Sequence, residues 1–265
     1  MPGLGRSRKI WGPVGSSDAR LESPQSLVTR ALFKVKKSWF RFLGSRVDLV
    51  VAQTGSVARK LEGLAVAIVV EQNCVVADGV TDLPVRSTRA RQNERPRVAI
   101  VGVLTDRKRP QLAIDALRAT GKGRWELVVM GDGPLREQLE SKNRDLMDEG
   151  LLRFTGWLSH DQAQIEVAGC VGLIHSSVRE GAPWAIAEAL TQGKWVVTIA
   201  GNGADYLVGL VSGGGMVVSN DEPELGQAVG AAVIRLLDSG DHPGPVNRWA
   251  ASRFGALLHD WYLTV

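Results

Sequence analysis

The sequence predicts an α/β protein with a mostly parallel sheet that is covered by helices on both faces. From Arg97 onward, short apolar runs of strand length alternate with segments that have a helical period. Glycine-rich turns separate many of these segments, and the hydrophobic content of 44% is that of a globular protein. Regular alternation of strand and helix indicates βαβ units, in which helical crossovers join parallel strands.

Apolar runs define the expected strands of this region, at residues 97–104, 125–130, 151–155, 170–175, 194–199 and 214–218. The expected helices occupy residues 110–119, a polar segment that ends near Met147, a short stretch that Ser159 caps, the segment entered at Pro183, and residues 222–237. In such sheets, ligands bind at the carboxyl ends of the strands where the strand order reverses.

The first part of the chain has fewer strands. Residues 47–52 and 66–70 read as two strands around a helix at 56–62, and a long helical segment at 27–43 precedes them. Two or three strands do not make a stable doubly wound domain by themselves. Residues 76–96 are rich in Asp, Arg and Pro, so we expect a linker there.

We therefore expect three parts: a partial N-terminal domain at 1–81, a complete ligand-binding domain at 82–243, and a C-terminal helix at 244–265. A break at Pro243-Gly-Pro245 precedes this last segment. Its apolar side chains are expected to pack back on the N-terminal part; they are Trp249, Phe254, Leu257, Leu258 and Trp261.

Composition excludes several classes of protein. The formal net charge of +4 is too small to call for nucleic acid as a partner. No apolar stretch is long enough to span a bilayer, and the N-terminus lacks the apolar core of a signal peptide. Cys74 and Cys170 lie beside apolar runs without metal-ligand spacing, so we expect buried free thiols in a reducing cytoplasm.

Two glutamates, Glu180 and Glu188, are the most informative side chains. Glu188 interrupts an otherwise apolar stretch at 184–190, which Pro183 opens at the expected first helical position. A carboxylate in such a helix needs hydrogen-bond donors to offset its desolvation, and sugar hydroxyls could supply them. The pair therefore predicts a site for a polar ligand at the start of one helix.

A basic loop, Arg107-Lys108-Arg109, stands between the first strand of this region and the helix entered at Pro110. Cations at a helix N-terminus oppose the helix dipole, so they are better explained if an anion also lies there. A solvated basic loop is the alternative.

Other local motifs carry less information. Gly131-Asp-Gly133 and Gly201-Asn-Gly203 follow strands, but tight turning alone explains them when a third glycine is lacking. No Walker-type phosphate loop or dinucleotide fingerprint occurs, and no Asp-x-Asp offers a carboxylate pair, so no metal or other cofactor is expected. The histidines have no evident nucleophilic partner and receive no role; they are His160, His175, His242 and His259.

Several motifs keep a distinctive order and spacing over residues 98–208. They are Val101-Gly-Val-Leu-Thr-Asp-Arg-Lys108, Val129-Met-Gly-Asp-Gly-Pro134, Phe154-Thr-Gly-Trp-Leu158, the segment from Glu180 to Glu188, and the glycine turn that ends at Asp205. Together they resemble the donor-binding domain of retaining glycosyltransferases with the GT-B fold, family 4 type (glycosyl transferases group 1). The segments at 10–15 and 71–76 resemble a strand-loop element of the acceptor domain and the exit from that domain. The implied fold is one complete Rossmann-like donor domain plus an incomplete Rossmann-like N-terminal domain.

The resemblance implies roles for the matching residues. Glu188 would bind the ribose hydroxyls of a nucleotide, and Lys108 would neutralise the diphosphate leaving group. Glu180 would contact the donor sugar, so Glu180 and Lys108 are the expected catalytic residues. Further substrate contacts are expected from the matched motifs, at Gly181, Ala182, Pro183, Gly102, Gly131, Trp157 and Arg107.

The chain departs from the family pattern at one cationic position. An arginine that shares the role of the lysine is absent, and Val103 holds its place five residues before Lys108. This removes a charge expected to stabilise the negative charge that develops on the leaving group. Arg107 and Arg109 are the candidates to compensate.

The N-terminal part is the second departure. Family members carry several strands before the Trp11 element, whereas this sequence begins almost at that element. We expect a fragment, a chain that pairs with a partner subunit supplying the missing strands, or the product of a decayed gene.

Residues 27–46 add a membrane hypothesis. Basic side chains recur there at helical spacing against apolar ones; they are Arg30, Lys34, Lys37 and Arg41. A basic amphipathic helix with aromatic residues can lie on an anionic bilayer, and many related enzymes act on lipid-linked acceptors. A domain helix with a solvated cationic face is the alternative. The expected location is the cytoplasm, at the inner face of the membrane if this segment binds lipid.

The sequence thus predicts a glycosyltransferase of the hexosyltransferase type. It would move a sugar from a nucleotide-diphosphate sugar to a glycan or lipid-linked acceptor with retention of configuration. The alternative is a catalytically impaired or partner-dependent nucleotide-sugar-binding module, which Val103 and the short N-terminal part favour. A nicotinamide-dependent oxidoreductase shares the sheet architecture, but the chain lacks its glycine fingerprint.

Overall fold

The computed structural model describes residues 9–14, 42, 46–53, 58–59, 61, 66–71, 76–79, 95–120, 123–178, 180 and 183–264. The chain divides into two compact units, Met1–Cys74 with Ser252–Val265, and Val75–Ala251. These boundaries differ by several residues from those expected at 81/82 and 243/244. Most of the predicted helix at 27–43 and most of the predicted linker at 76–96 lie outside the described residues.

The elements follow the predicted alternation of strand and helix. Strands β1 to β9 are Ile10–Val14, Leu49–Ala52, Ala67–Val70, Arg97–Val101, Glu126–Met130, Leu152–Gly156, Gly172–His175, Trp195–Ile199 and Gly215–Val218. Within the described ranges, helices α1 to α8 are Pro110–Ala119, Arg136–Lys142, Arg144–Asp148, His160–Ala168, Trp184–Thr191, Asp205–Gly209, Leu225–Ser239 and Ala251–Thr264. None of these helices is both long enough and apolar enough to cross a membrane.

The first unit contains a parallel sheet with the order β1-β2-β3. Its central strand, β2, is buried along its whole length because successive side chains point to opposite faces and both faces are covered. Val50 packs with Leu61 on one side, and Leu49 packs with Trp261 of α8 on the other. The last helix therefore completes the core of this unit.

The second unit contains a six-stranded, fully parallel sheet with the order β6-β5-β4-β7-β8-β9. This confirms the predicted α/β class. Strands β5, β7 and β8 are apolar and almost wholly buried, as in a parallel sheet covered on both faces, whereas the edge strands β6 and β9 are only partly buried. The strand order reverses between β4 and β7, since β5 lies beyond β4 and β8 lies beyond β7.

Two details of the predicted elements differ in the structure, and a third is confirmed. The polar helix is split at Asn143, whose buried amide donates to the Leu139 carbonyl at 2.8 Å and so competes with helix continuation. Pro183 has φ −75° and ψ 105°, so it is the N-cap of α5. The prediction that it is the first helical residue was therefore wrong. Ser159 does cap α4, through a full capping box with Gln162.

The thiol prediction can be checked at Cys170 alone, because Cys74 lies outside the described residues. Cys170 is buried, with 1% of its surface exposed, and is a free cysteine. Burial raises the pKa of its thiol to about 12, so the group is an inert packing element at neutral pH.

Candidate active site

The loops that follow β4 and β7 meet at the carboxyl edge of the six-stranded sheet. Because the chain leaves these neighbouring strands in opposite directions, their ends open into the kind of crevice where doubly wound sheets bind ligands. The first loop runs from Gly102 to Arg109, and the second begins at Ser176 and ends at Pro183. Gly181 and Ala182, two expected substrate contacts, lie outside the described residues.

Hydrogen bonds tie the two loops together. The Ser176 hydroxyl donates to the Lys108 carbonyl at 2.7 Å, and the Val178 amide donates to the Arg107 carbonyl at 2.9 Å. Arg109 Nε donates in turn to the Ser176 carbonyl at 2.8 Å. Among the described residues, Arg109 alone has a left-handed φ, 46°, without being glycine, which costs about 1–2 kcal/mol. The second loop therefore holds the first in a strained conformation.

The two connected loops bring the expected catalytic side chains, Lys108 and Glu180, into direct contact. Lys108 Nζ lies 2.6 Å from Glu180 Oε1, and Arg107 Nη1 lies 3.2 Å from the same oxygen. The Ser177 hydroxyl donates to that oxygen as well, at 2.8 Å. Burial alone would raise the pKa of Glu180, but the hydrogen bonds from Lys108 and Ser177 outweigh it and lower the pKa. The Glu180 carboxylate is therefore ionised near neutral pH.

A third loop, after β8, fixes the backbone of Glu180. The Glu180 amide donates to the Asn202 carbonyl at 2.7 Å. The buried Asn202 side chain donates to the Ser177 carbonyl at 3.0 Å. Gly203 has φ 88°, and a Cβ atom there would lie 2.3 Å from the Glu180 carbonyl oxygen. The predicted turn at 201–203 is thus required for close backbone approach, and Asn202 is a site residue that the sequence motif did not reveal.

His175, to which sequence reasoning gave no role, lies under the Glu180 carboxylate. Its ring is 5% exposed, and its Nε2 is 3.8 Å from Glu180 Oε1. Nε2 makes no hydrogen bond to any described residue. Desolvation, together with the charge of Lys108, lowers the pKa of His175 to about 4, so the ring is neutral at physiological pH.

The crevice carries a surplus of positive charge. Arg107, Lys108 and Arg109 supply three cations, whereas Asp106 and Glu180 supply two carboxylates and His175 is neutral. Arg109 is engaged by Ser176 and by the Asn220 side chain, at 2.8 and 3.3 Å. The cations of the first loop therefore face the second loop. Their positive charge would attract an anionic ligand that lies between the two loops.

The glycines at the strand ends allow close approach of backbones. A Cβ atom on Gly131 would lie 2.1 Å from the Gly102 carbonyl oxygen. The Gly102 amide donates to the Met130 carbonyl, and the Gly131 amide donates to the Gly156 carbonyl, at 2.9 and 3.0 Å. The Gly133 amide is occupied by the Asp132 side chain at 2.7 Å. Because these N–H groups already have acceptors, the turn at 131–133 does not present them to a phosphate.

Glu188 lies in the second turn of α5 and has a protein partner. Its side chain is 13% exposed, and its Oε1 is 2.9 Å from Nε2 of His160, the first residue of α4. The hydrogen bond with Glu188 raises the pKa of His160 above its ordinary value. The donor expected from a sugar hydroxyl is thus supplied here by an imidazole, which the scattered histidines of the sequence did not indicate.

Two further expected residues can be placed. Trp157 follows β6 and is 75% exposed, so its indole is available to a ligand. Val103 is 46% exposed beside the loop cations and contributes no charge. Within the described residues, no group of three or more His, Cys, Asp and Glu side chains is arranged to hold a metal ion.

The comparisons with known proteins agree with the fold. The family model of glycosyl transferases group 1 matches residues 85–243. WaaG, a glycosyltransferase involved in lipopolysaccharide biosynthesis, aligns with a TM-score of 0.62 and 15% identity over 90% of this chain and 67% of WaaG. Anabaena HepE, in complex with UDP and glucose, aligns with a TM-score of 0.60 and 16% identity over 97% of this chain and 71% of HepE.

A third structure, the pneumococcal O-GlcNAc transferase GtfA in complex with UDP and GlcNAc, gives a TM-score of 0.58 and 15% identity. That alignment covers 86% of this chain and 45% of GtfA. At these identities the likeness concerns the fold. No curated protein sequence matches the chain.

Proposed function

This chain belongs to the glycosyl transferases group 1 and has a GT-B-like fold, and from that premise we propose that it binds a nucleotide-diphosphate sugar and transfers the sugar with retention of configuration. The observation that carries the proposal is the 2.6 Å contact of Lys108 with Glu180 at the point where strand order reverses. A cation and a carboxylate at this position match the diphosphate and the sugar of such a donor.

Each part of the donor has a proposed partner. Lys108, with Arg107, binds the diphosphate, since the crevice carries a surplus of positive charge. Glu180 and the backbone that follows it, Gly181 to Pro183, hold the sugar. Glu188 accepts hydrogen bonds from the ribose hydroxyls. The exposed Trp157 contacts the nucleotide, as do the strand-end glycines Gly102 and Gly131.

Catalysis in this proposal is mainly electrostatic. The bond from the anomeric carbon to the diphosphate oxygen breaks while a bond from that carbon to an acceptor oxygen forms on the same face, and the acceptor hydroxyl gives its proton to the departing diphosphate. Negative charge accumulates on the departing diphosphate, where Lys108 is placed to stabilise it. Glu180 contributes by fixing the sugar relative to that cation.

The acceptor is proposed to be a glycan or a lipid-linked molecule in the cytoplasm. WaaG, which has a similar fold, is involved in lipopolysaccharide biosynthesis. The basic segment at 27–46 is the proposed peripheral membrane contact, and it lies almost wholly outside the described residues. A partner subunit that completes the N-terminal sheet is part of the same proposal.

One observation favours a second candidate, a nucleotide-sugar-binding module with impaired or partner-dependent turnover. Val103 occupies the position where the family pattern has an arginine, and its exposed side chain supplies no charge. Binding through Glu188 and Lys108 would survive this change, whereas stabilisation of the leaving group would be weakened.

Two measurements on the whole chain test these candidates. The first measures release of nucleoside diphosphate from UDP-, GDP- and ADP-sugars, with and without an extract that contains acceptor molecules. A transferase releases the diphosphate, whereas a binding module does not. Calorimetry with UDP, GDP and ADP should show one preferred nucleotide, and Glu188→Ala should abolish its binding. The exposed Glu149→Ala is the matched control. Near-normal nucleotide affinity in Glu188→Ala would reject the assignment.

A further inference from the structure

A chain of polar side chains runs between α4 and α5 and ends at Glu188. The Gln192 side chain, just after α5, donates to the side-chain oxygen of Gln164. The Gln164 amide lies 3.5 Å from His160 Nε2, and that nitrogen lies 2.9 Å from Glu188 Oε1. Gln164 and Gln192 are buried, with 5% and 6% of their surfaces exposed. Two buried glutamines therefore lie behind a more exposed imidazole.

The hydrogen-bond pattern fixes which nitrogen of His160 carries a proton. A carboxylate oxygen only accepts, so the 2.9 Å contact requires an N–H on Nε2. Nε2 then has no lone pair for the Gln164 amide, and the 3.5 Å contact is a packing contact. Both neutral Nε2–H imidazole and imidazolium donate to Glu188, so this contact persists across the titration of His160.

Glu188 depends on this donor. Its neighbours along α5, Ile186, Ala187 and Ala189, are fully buried, and its own side chain is 13% exposed. A carboxylate so placed requires hydrogen bonds to offset desolvation. Within the described part of the chain, His160 is the only residue that donates to it.

The contact leaves most of the carboxylate available. A carboxylate has about four lone-pair directions, of which His160 occupies one on Oε1. The side chain of His160 is 63% exposed and approaches from the N-terminus of α4. Within the described ranges, no donor reaches Oε2 or the second lone pair of Oε1, which can accept from a pair of vicinal hydroxyls.

We propose that His160 is a positioning residue for ribose recognition: its Nε2–H fixes the rotation of the Glu188 carboxylate so that the remaining lone pairs accept both ribose hydroxyls. This inference rests on the proposed binding of a nucleotide at Glu188. The inference adds His160, on another helix, to the ribose site. Without His160, the Glu188 carboxylate rotates freely and binds the two ribose hydroxyls less well.

The experiment compares a ribonucleotide with its 2′,3′-dideoxy analogue in His160 variants of the whole chain. The probe is the tightest binder among UDP, GDP and ADP, with the dideoxy form of the same diphosphate. His160→Ala should weaken binding of the ribonucleotide about 5- to 10-fold and leave binding of the dideoxy form within about 2-fold. A 5- to 10-fold loss corresponds to about 1–1.4 kcal/mol, which is the size of one hydrogen bond. His160→Gln, whose side-chain amide reaches a similar point, should restore most of the lost affinity.

A second exposed histidine provides the control for this experiment. His259, which is 72% exposed and stands beside Asp260 as His160 stands beside Asp161, provides the matched variant His259→Ala. Equal weakening of both nucleotides by His160→Ala, or no weakening of either, overturns the positioning role alone. If the unaltered protein binds none of the three diphosphates, the proposed function fails, and this inference fails with it.

Discussion

Two glutamate–histidine pairs in the described part of the second unit behave in opposite ways. Glu180 faces a buried His175 at 3.8 Å, and Glu188 faces an exposed His160 at 2.9 Å. The pKa of His175 is lowered to about 4, first by desolvation and then by Lys108. The pKa of His160 is raised, first by the hydrogen bond with Glu188. Solvent and neighbouring cations therefore decide the protonation state of the imidazole in each pair.

The two carboxylates differ correspondingly in what a ligand must displace. Their exposures are similar, 14% for Glu180 and 13% for Glu188. Glu180 Oε1 already accepts from Lys108, Arg107 and Ser177, so a bound diphosphate would compete with Glu180 for cations. Glu188 has one described donor and keeps free lone pairs. The first pair is thus a charge cluster that rearranges, and the second is a preformed acceptor.

At the first pair, the largest expected effect comes from removing Lys108, the cation that contacts Glu180. Lys108→Ala should weaken the preferred nucleoside diphosphate about 100-fold, because loss of a partly buried ionic contact costs roughly 2–5 kcal/mol. Calorimetry at low ionic strength measures it. Lys142→Ala, at the exposed end of α2, is the control. An unchanged affinity in Lys108→Ala would place the diphosphate elsewhere.

The acid stability of the protein tests the buried histidine. The pKa of His175 is near 4 in the folded state and about 6.5 in an unfolded chain. The folded state therefore resists protonation, and stability present above pH 6.5 is lost as the pH falls toward 4. Linkage gives a loss on the order of 2–3 kcal/mol. The free energy of unfolding of His175→Asn should fall less than that of the unaltered protein between pH 7 and 4.5; parallel falls would contradict the assigned burial.

Removing the carboxylate of the first pair should separate its two ligand effects. In Glu180→Gln, Lys108 and Arg107 lose a competing anion, so affinity for the nucleoside diphosphate should rise about 3- to 5-fold. Affinity for the corresponding nucleotide sugar should fall, since the sugar loses an acceptor. Titrating both ligands by calorimetry checks the opposite signs. A loss of affinity for both ligands would mean that Glu180 organises the cations instead of competing for them.

The predicted fold and the predicted site had different sources in the sequence. The strands β4 to β9 and the helix at 110–119 follow from local periodicity, which fixes an element without its neighbours. Lys108 and Glu180 were identified from motifs at the ends of such strands. Their contact depends on β4 and β7 being adjacent, and strand order is a property of the whole sheet.

The parts that the sequence did not reveal depend on pairing between distant residues. His160 lies 28 residues from Glu188, and no local pattern marks one as the donor to the other. The break at Asn143 likewise arises from a side-chain hydrogen bond, whereas the helical period continues across it. A buried imidazole such as His175 looks in the sequence like any polar residue at a strand end.

A charge restored beside the first pair should have a moderate effect. Val103→Arg introduces a cation near Lys108, and we expect the affinity for the nucleoside diphosphate to rise about 3- to 5-fold, as for a single partly solvated ionic contact worth ~1 kcal/mol. The uncharged Val103→Met is the control for size. If release of diphosphate from the nucleotide sugar also accelerates, Val103 accounts for weak turnover; equal behaviour of the two variants would remove that explanation.

The smallest effect concerns the exposed pair and has the opposite pH sign to that of His175. The pKa of His160 is raised in the folded state, so the stability that its positive charge adds to the contact with Glu188 is fully present below pH 6.5 and is lost as the pH rises through the folded pKa. Because the ring is 63% exposed, the contribution is below about 1 kcal/mol.

Chemical unfolding of the unaltered protein and of His160→Gln at pH 5.5 and pH 9 measures this difference. Glutamine keeps the donor but cannot be protonated, so the difference between the two proteins isolates the charge. It should favour histidine at pH 5.5 and vanish at pH 9. A difference that is equal at both values would mean that His160 acts as a neutral donor throughout. The two pairs would then differ in hydrogen bonding alone, because neither histidine would be charged in the folded protein.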